Sequence, residues 1–348
     1  MNGLGEALVV ARTAAGFTQQ EFADKLGVTQ AALSRYENDL RGIPDETLDI
    51  AAKTLGITRD LLISARQHRG AMAVDAHMRR RATAPATAWH RTEARLNMLR
   101  VHTAHVLGEV RMRASKQLPV YDPIDTSPAD AARFVRMQWQ IPSGPVRGLI
   151  QWAEAAGCVV FEEDFGTSRI DGMSQWIVGH PVLLVNSTAP VDRKRLTIAH
   201  ELGHLCLHNE FITETVEADA NQFAAEFLMP EAAIAHQLRD LTVGRLGDLK
   251  QVWGVSMQAL IERAFHLRLL TPDKRTLMYK QFGARGWRIR EPGSDALPDE
   301  RPALPATIGT ALAARGLTPA DIDTIAGFAP DATNNPFKPA RRTLSAIK

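Results

Sequence analysis

Ile198-Ala199-His200-Glu201-Leu202-Gly203-His204-Leu205-Cys206-Leu207-His208 is the stretch on which the reading of this 348-residue chain turns. Two histidines four residues apart lie on one face of a helix, one turn above the other. That spacing lets both imidazoles reach a single zinc ion, with Glu201 between them placed as a general base for the water the ion activates. A catalytic zinc needs a third protein ligand and an open position. His208 shares the face, but eight residues of helical rise separate it from His200 by about 12 Å, too far for two bonds of about 2.1 Å to one ion. His208 is therefore expected beside the metal site, supporting it from outside, or on the helix surface. The better third ligand is Glu217, in Glu217-Ala-Asp-Ala-Asn221-Gln-Phe-Ala-Ala-Glu-Phe-Leu-Met-Pro230. Glu217 and Asn221 share a helix face, so Glu217 would hold the metal and Asn221 would orient a neighbouring histidine. Asp219 and Glu214 are weaker candidates because neither has this relation.

Outward from this motif, helical patterns run over 129–139, 145–156 and most of 191–268. Strand-like runs stand at 158–162, 176–178 and 182–186. The strand at 182–186, if it forms a sheet edge, could take an extended peptide by β-augmentation. The first 64 residues read as short helices with apolar faces such as Leu4/Leu8/Ala11 and Phe22/Ala23/Leu26, broken at Gly16, Gly27, Gly42 and Gly56. Within them Thr18 and Glu21 form a capping box, Gly27 makes a turn and Thr29 caps a second helix, the layout of a helix-turn-helix. After Gly283 prolines accumulate and two short helices, near 306–315 and 319–326, interrupt an otherwise loose tail. No internal repeat is legible.

The expected fold class is mainly α with a small sheet (α + α+β). We divide the chain into a five-helix bundle at 1–65, a basic helical connector at 66–128, a metal-binding domain at 129–282 and a Pro-rich tail at 283–348. Charge supports that division. Residues 1–65 carry 6 basic and 9 acidic side chains, a net of −3, and residues 117–348 carry 24 and 27, again −3. Residues 66–116 carry 11 and 3, a net of +8 that hides within the overall +2. A polyanion should meet the protein at or beside that segment, which reads as one or two long helices with a solvated basic face. No apolar run is long enough for a membrane span and no basic region precedes the first apolar stretch, so neither membrane nor secretion is expected. Two cysteines, too few for a disulfide framework, suit a reducing cytoplasm.

Two resemblances sharpen these expectations. Residues 4–64, through Thr18-Gln19-Gln20-Glu21, Gly27-Val28 and Ser34-Arg35-Tyr36-Glu37-Asn38, resemble the XRE/lambda-repressor class of helix-turn-helix domains. The resemblance implies a double-stranded DNA operator as partner, with Gln30, Ala31, Ser34 and Arg35 facing the major groove and Gln19 and Asn38 facing phosphates. The side chains suit this: Gln takes adenine, Arg takes guanine and Ala can meet a thymine methyl. Asp39 departs from the glycine usual in that class. By analogy with two-fold operators a homodimer is expected.

Residues 130–282, through Leu183–Ser187, Arg193–Thr197, the His200–His204 pentamer and Glu217–Pro230, resemble the ImmA/IrrE family of zinc metallopeptidases. This implies a gluzincin-like core with Zn2+ on His200, His204 and Glu217, Glu201 as catalytic base, Asn221 and His208 around the ligands, and a repressor-like regulatory protein as substrate. His208 and His180 are conceivable oxyanion donors. The combined expectation is a DNA-binding regulator carrying a zinc-dependent endopeptidase for a repressor or antitoxin-type protein in prophage, toxin-antitoxin, defence or stress control. The alternative is a transcription factor whose zincin-like domain only senses a ligand or partner.

Overall fold

A computed structural model describes residues 3–65, 85–208, 215–288 and 290–339. The N-terminal bundle contains α1 (Leu4–Ala14), α2 (Gln19–Leu26), α3 (Gln30–Glu37), α4 (Asp45–Leu55) and α5 (Arg59–Ala65). Thr18 caps α2 in a capping box with Glu21, and the chain enters α3 through Gly27 at φ 67 with Thr29 as its cap. Asp39 takes the left-handed conformation its position demands, at φ 54. Its carboxylate accepts from the backbone N–H of Gly3 (2.8 Å) and Gly5 (3.0 Å), so it caps α1 across the bundle. The departure from glycine thus gives the loop a second function.

A long helix, α6 (Ala86–Glu109), follows. The expected solvated basic face is not what this helix presents. Trp89, Leu96, Leu99 and Val106 join the core beneath the sheet, while Ala94, Met98 and Val101 join the core of the N-terminal bundle. Arg100 and His102 are both buried. Arg100 donates to the Trp176 carbonyl from Nε (3.2 Å) and Nη2 (2.9 Å) and to Asn97 Oδ1 (2.8 Å), and burial lowers its pKa to about 10. Residues 66–84, with Arg79, Arg80 and Arg81 of the connector, lie outside the described residues.

Helices α7 (Pro128–Trp139) and α8 (Leu149–Ala155) lead into strands β1 (Val159–Glu163), β2 (Gly172–Ile177) and β3 (His180–Asn186). The sheet order is β1-β3-β2, with β1 parallel and β2 antiparallel to β3. β3 is therefore central, hydrogen-bonded on both sides, and cannot accept the added peptide strand expected of it. Its run Pro181–Asn186 is wholly buried because helices cover both faces of the sheet. One face carries Val160, Leu183 and Val185 against α9 (Val191–Leu207); the other carries Phe161, Met173, Val182 and Leu184 against α6 and the C-terminal segment. α10 (Val216–Leu228) packs on α9, and α11 (Glu231–Ile234), α12 (Val243–Trp253), α13 (Met257–His266) and α14 (Pro272–Ala284) complete this half.

A repeat does exist, although only at the level of one turn. Leu26-Gly-Val-Thr-Gln-Ala-Ala-Leu33 recurs as Trp253-Gly-Val-Ser-Met-Gln-Ala-Leu260, each a helix, a glycine in the left-handed region and a hydroxyl-capped second helix. In the second copy Glu291 accepts from the N–H of Met257 (2.6 Å) and Gln258 (3.0 Å), closing that helix start against its own chain.

The tail is not loose. Fully buried Lys250 binds Asp192 (2.6 Å), Glu291 (2.9 Å) and Ser294 (2.8 Å), and Lys194 and Arg195 pair with Asp299 and Glu300. Beyond these clamps α15 (Leu304–Ala314) and α16 (Pro319–Ile325) bring Ile308, Leu312, Ile322, Phe328 and Phe337 into the core under the sheet. Thr58 N–H donates to Gly327 (2.9 Å) and Ala329 N–H to Gly56 (2.9 Å), tying the tail to the N-terminal bundle. Proline density misled the sequence reading because the prolines lie between short, well-buried apolar clusters.

Phe337→Ala should cost about 3–5 kcal/mol of stability in chemical denaturation, as for a core aromatic and unlike a tail residue. A second expectation concerns acid. His102 is stacked on Phe328 (3.9 Å between rings), with Nδ1 2.6 Å from the Ala326 carbonyl. Burial, against that hydrogen bond, lowers its pKa from 6.5 to about 3. The unfolded chain takes up the proton below about 6.5 while the folded one does not. Stability is full above that pH and falls as pH drops toward 3, by about 2 kcal/mol between pH 7 and 5. Denaturation of a His102→Gln variant should lack this component of the acid slope.

Candidate metal centre

α9 and α10 bring three donor atoms together. His200 Nε2 lies 2.9 Å from His204 Nε2, and the Glu217 carboxylate oxygens lie 3.6 Å and 3.5 Å from these nitrogens. Donors sharing one tetrahedral ion with bonds of about 2.1 Å stand roughly 3.4 Å apart, so the triangle fits. The histidines are buried and the Glu217 side chain is 44% exposed, leaving the outer side of the triangle open. Among the described residues this is the group of His, Cys, Asp and Glu side chains that could hold a metal.

The helix sequences explain the convergence. Gly203, inside the motif, faces Ala220 and Phe223 of α10, and a Cβ there would stand 3.1 Å from Ala220 Cα and Phe223 Cβ. The missing side chain lets the Glu217 helix approach. Phe223 stacks on Phe227, which meets Trp139 edge-on, so an aromatic core fixes that spacing.

Glu201 is buried on the same helix, and Ser174 of β2 donates a hydrogen bond of 2.7 Å to its Oε2. Burial raises its pKa, while His204 and the Ser174 bond oppose that rise. β2 comes this close because Gly172 faces Thr197; a Cβ there would meet Thr197 Cγ2 at 2.5 Å and the Leu184 carbonyl at 3.2 Å.

The surrounding residues differ from expectation in part. His208 is buried, its Nδ1 3.1 Å from His204 Nδ1 and its Nε2 3.8 Å from Asp219 Oδ2, which also accepts from Thr215 Oγ1 (2.8 Å). Asp219, read as a weaker ligand candidate, lies beside His208 and outside the His200–His204–Glu217 group, and Asn221 is exposed, lines the cavity and makes no hydrogen bond to a described histidine. Glu214 lies outside the described residues. His180 pairs with Ile177 at the end of the sheet remote from Gly172 and Glu201, too far along the strands to serve an oxyanion there. A cavity of about 1350 Å³ opens over the centre, from Gly172, His200 and Glu201 across to Gln258, Glu262 and His266 of α13. Sequence reading missed Ser174 because Gly172-Met-Ser-Gln carries too little apolar character to read as strand.

In the N-terminal bundle Gln30, Ala31 and Arg35 are exposed and Ser34 half-buried along α3. Gln19 donates to Glu37 (2.8 Å) and accepts from Gln30 (3.2 Å), while Asn38 donates to the Ser34 carbonyl (2.7 Å). Buried Glu37 also pairs with Arg12 (2.5 Å), so Gln19 belongs to a network joining α1, α2 and α3. Its expected phosphate contact would have to share that side chain.

Residues 153–265 match the family model of the IrrE N-terminal-like domain, and residues 10–62 match that of the helix-turn-helix. A 73-residue stretch is 37% identical to the radiation response metalloprotease IrrE of Deinococcus radiodurans, covering 17% of this chain and 22% of that protein. The chain therefore joins an XRE-type helix-turn-helix to an IrrE/ImmA-type domain. No described helix is long and apolar enough to cross a membrane.

Gly203→Ala should lower stability by about 1–3 kcal/mol through overpacking. It should also weaken metal binding at least tenfold in chelator competition, because it would move Glu217 away from both histidines.

Proposed function

We propose that this protein is a DNA-binding regulator whose IrrE/ImmA-type domain is a zinc-dependent endopeptidase acting on a repressor or antitoxin-type regulatory protein. One observation carries the reading: three donors at tetrahedral spacing beside a buried carboxylate, with His200 and Glu201 lining one open cavity. His200, His204 and Glu217 would hold the ion. When bound, zinc supplies Lewis acidity, polarising a carbonyl and making water a stronger acid. Glu201 takes the proton of the attacking water and returns it to the leaving amine.

The substrate has an edge to lie on. Trp176 stands opposite Pro181, which has no N–H, and its carbonyl points away from β3 to Arg100. By alternation the main chain of Gly172 and Ser174 also points outward, beside Glu201. An extended segment would pair there, on β2, which assigns β-augmentation to a different strand from the one the sequence suggested. A folded domain would not enter this cleft, so the cleaved bond lies in a flexible segment.

On DNA, α3 reads the major groove with Gln30, Ala31, Ser34 and Arg35, and the basic segment at 66–116 adds phosphate attraction from those residues that α6 does not bury. A second reading, in which the domain senses a ligand or partner without proteolysis, draws on α6, whose two faces join the bundle and the sheet.

Glu201→Gln separates the two. Incubated with repressors encoded beside it, wild type should cleave one of them, and the variant should keep its zinc while losing about 10²–10⁴ in rate. Identical intact bands from both, with zinc bound, would leave only the sensor. For DNA, Arg35→Ala should weaken operator binding by about 1–3 kcal/mol and relax preference at one base pair. Substitutions at Arg79, Arg80 and Arg81 should lower the salt slope by about 1 each without changing preference.

A further inference from the structure

We infer that Ser174 is a positioning residue for Glu201, fixing the carboxylate so that one oxygen is committed and the other is left for proton transfer. This deepens the proposed peptidase reading and rests on Glu201 being its base. A buried glutamate keeps a soft terminal torsion, and a carboxylate free to turn would present its oxygens at random. Ser174 removes that freedom. Its hydroxyl donates to Glu201 Oε2 at 2.7 Å and also lies 3.4 Å from the Glu201 carbonyl oxygen. Among the described residues this is the hydrogen bond that the carboxylate receives.

The hydroxyl is itself held at both ends of its strand. On one side Gly172 packs against Thr197, one turn before Glu201 on α9. On the other, Trp176 Nε1 donates to the Leu205 carbonyl (3.2 Å), one turn after it, while the Trp176 carbonyl accepts from buried Arg100. β2 and α9 therefore run together over the length that contains the pair, and the hydroxyl cannot follow a turning carboxylate. The Ser174 side chain makes no hydrogen bond to the three donors, and its hydroxyl acts through Glu201 alone.

The test needs no knowledge of the natural substrate. The full chain is loaded with Co2+ and titrated with acetohydroxamic acid, which chelates a metal more tightly where a neighbouring carboxylate takes its hydroxyl proton, following the cobalt absorption bands. Ser174→Ala should bind cobalt within twofold of wild type but acetohydroxamate about tenfold more weakly, the scale of one hydrogen bond to a charged group. Ser174→Thr, which restores the hydroxyl, should recover most of that loss. In a Glu201→Gln background Ser174→Ala should add nothing. Wild-type affinity in Ser174→Ala, an equal further loss in the Glu201→Gln background, or no recovery in Ser174→Thr would each overturn the assignment. If Ser174→Ala melts too low to load, Ser174→Cys takes its place with the same expectation. Failure of the wild-type chain to take up cobalt is a separate result that removes the metal reading and this inference with it.

Discussion

A metal site of this kind depends on how near two helices can come. α9 supplies two nitrogens by its own periodicity, but the third donor belongs to α10, so the edges of 3.5 Å and 3.6 Å are set by packing and not by the motif. Gly203 against Ala220 and Phe223 is where that distance is decided. The glycine between Glu201 and His204 has no chemical part, yet without it the pentamer would have two ligands and no third. Phe223, Phe227 and Trp139 then carry the spacing into the hydrophobic core, which is why the site inherits the rigidity of the fold.

The other organising element is α6. A helix buried on nearly all sides must satisfy its polar residues internally, and here each does: Arg100 on the Trp176 carbonyl, His102 on the Ala326 carbonyl, Arg95 on Glu163. The positive charge that made this region look like a solvated connector is thus divided. Arg95 and Arg100 are spent on holding the two halves together, and His102 is kept neutral by its surroundings. What remains for a polyanion is exposed Arg91 on α6 and the part of the segment that lies outside α6.

The residues legible in the sequence were those whose placement follows from local spacing. His200, Glu201 and His204 are fixed by the turn of one helix, Thr18, Glu21 and Thr29 by capping, and the apolar run at 182–185 by its burial. What escaped depends on partners distant in the chain. Asp39 caps a helix 34 residues earlier, and Ser174 meets a carboxylate 27 residues later. Strand order decides whether a strand is edge or centre, and nothing within 182–186 encodes its neighbours. Asn221 shared a face with Glu217 as read, but a shared face does not say which way a side chain turns: Asn221 lines the cavity, and it is Asp219 that lies beside His208.

The shared cores constrain how DNA and the cavity can influence each other. The N-terminal bundle is held by α6 on one side and by the Gly56–Thr58 pairing with Gly327–Ala329 on the other, so it has two attachments and no free hinge among the described residues. If DNA binds without reorienting the bundle, α6 does not move and the cavity is unaffected. If DNA demands reorientation, α6 must move with the bundle or lose the burial of Ala94, Met98 and Val101. A moving α6 carries Arg100, whose bond to Trp176 lies two residues from Ser174 on β2. The strain would reach Glu201 through backbone and one hydroxyl, a path of packed and bonded groups. Coupling of this kind is reciprocal: whatever fills the cleft along β2 must change the affinity for DNA by the same factor that DNA changes the affinity for it.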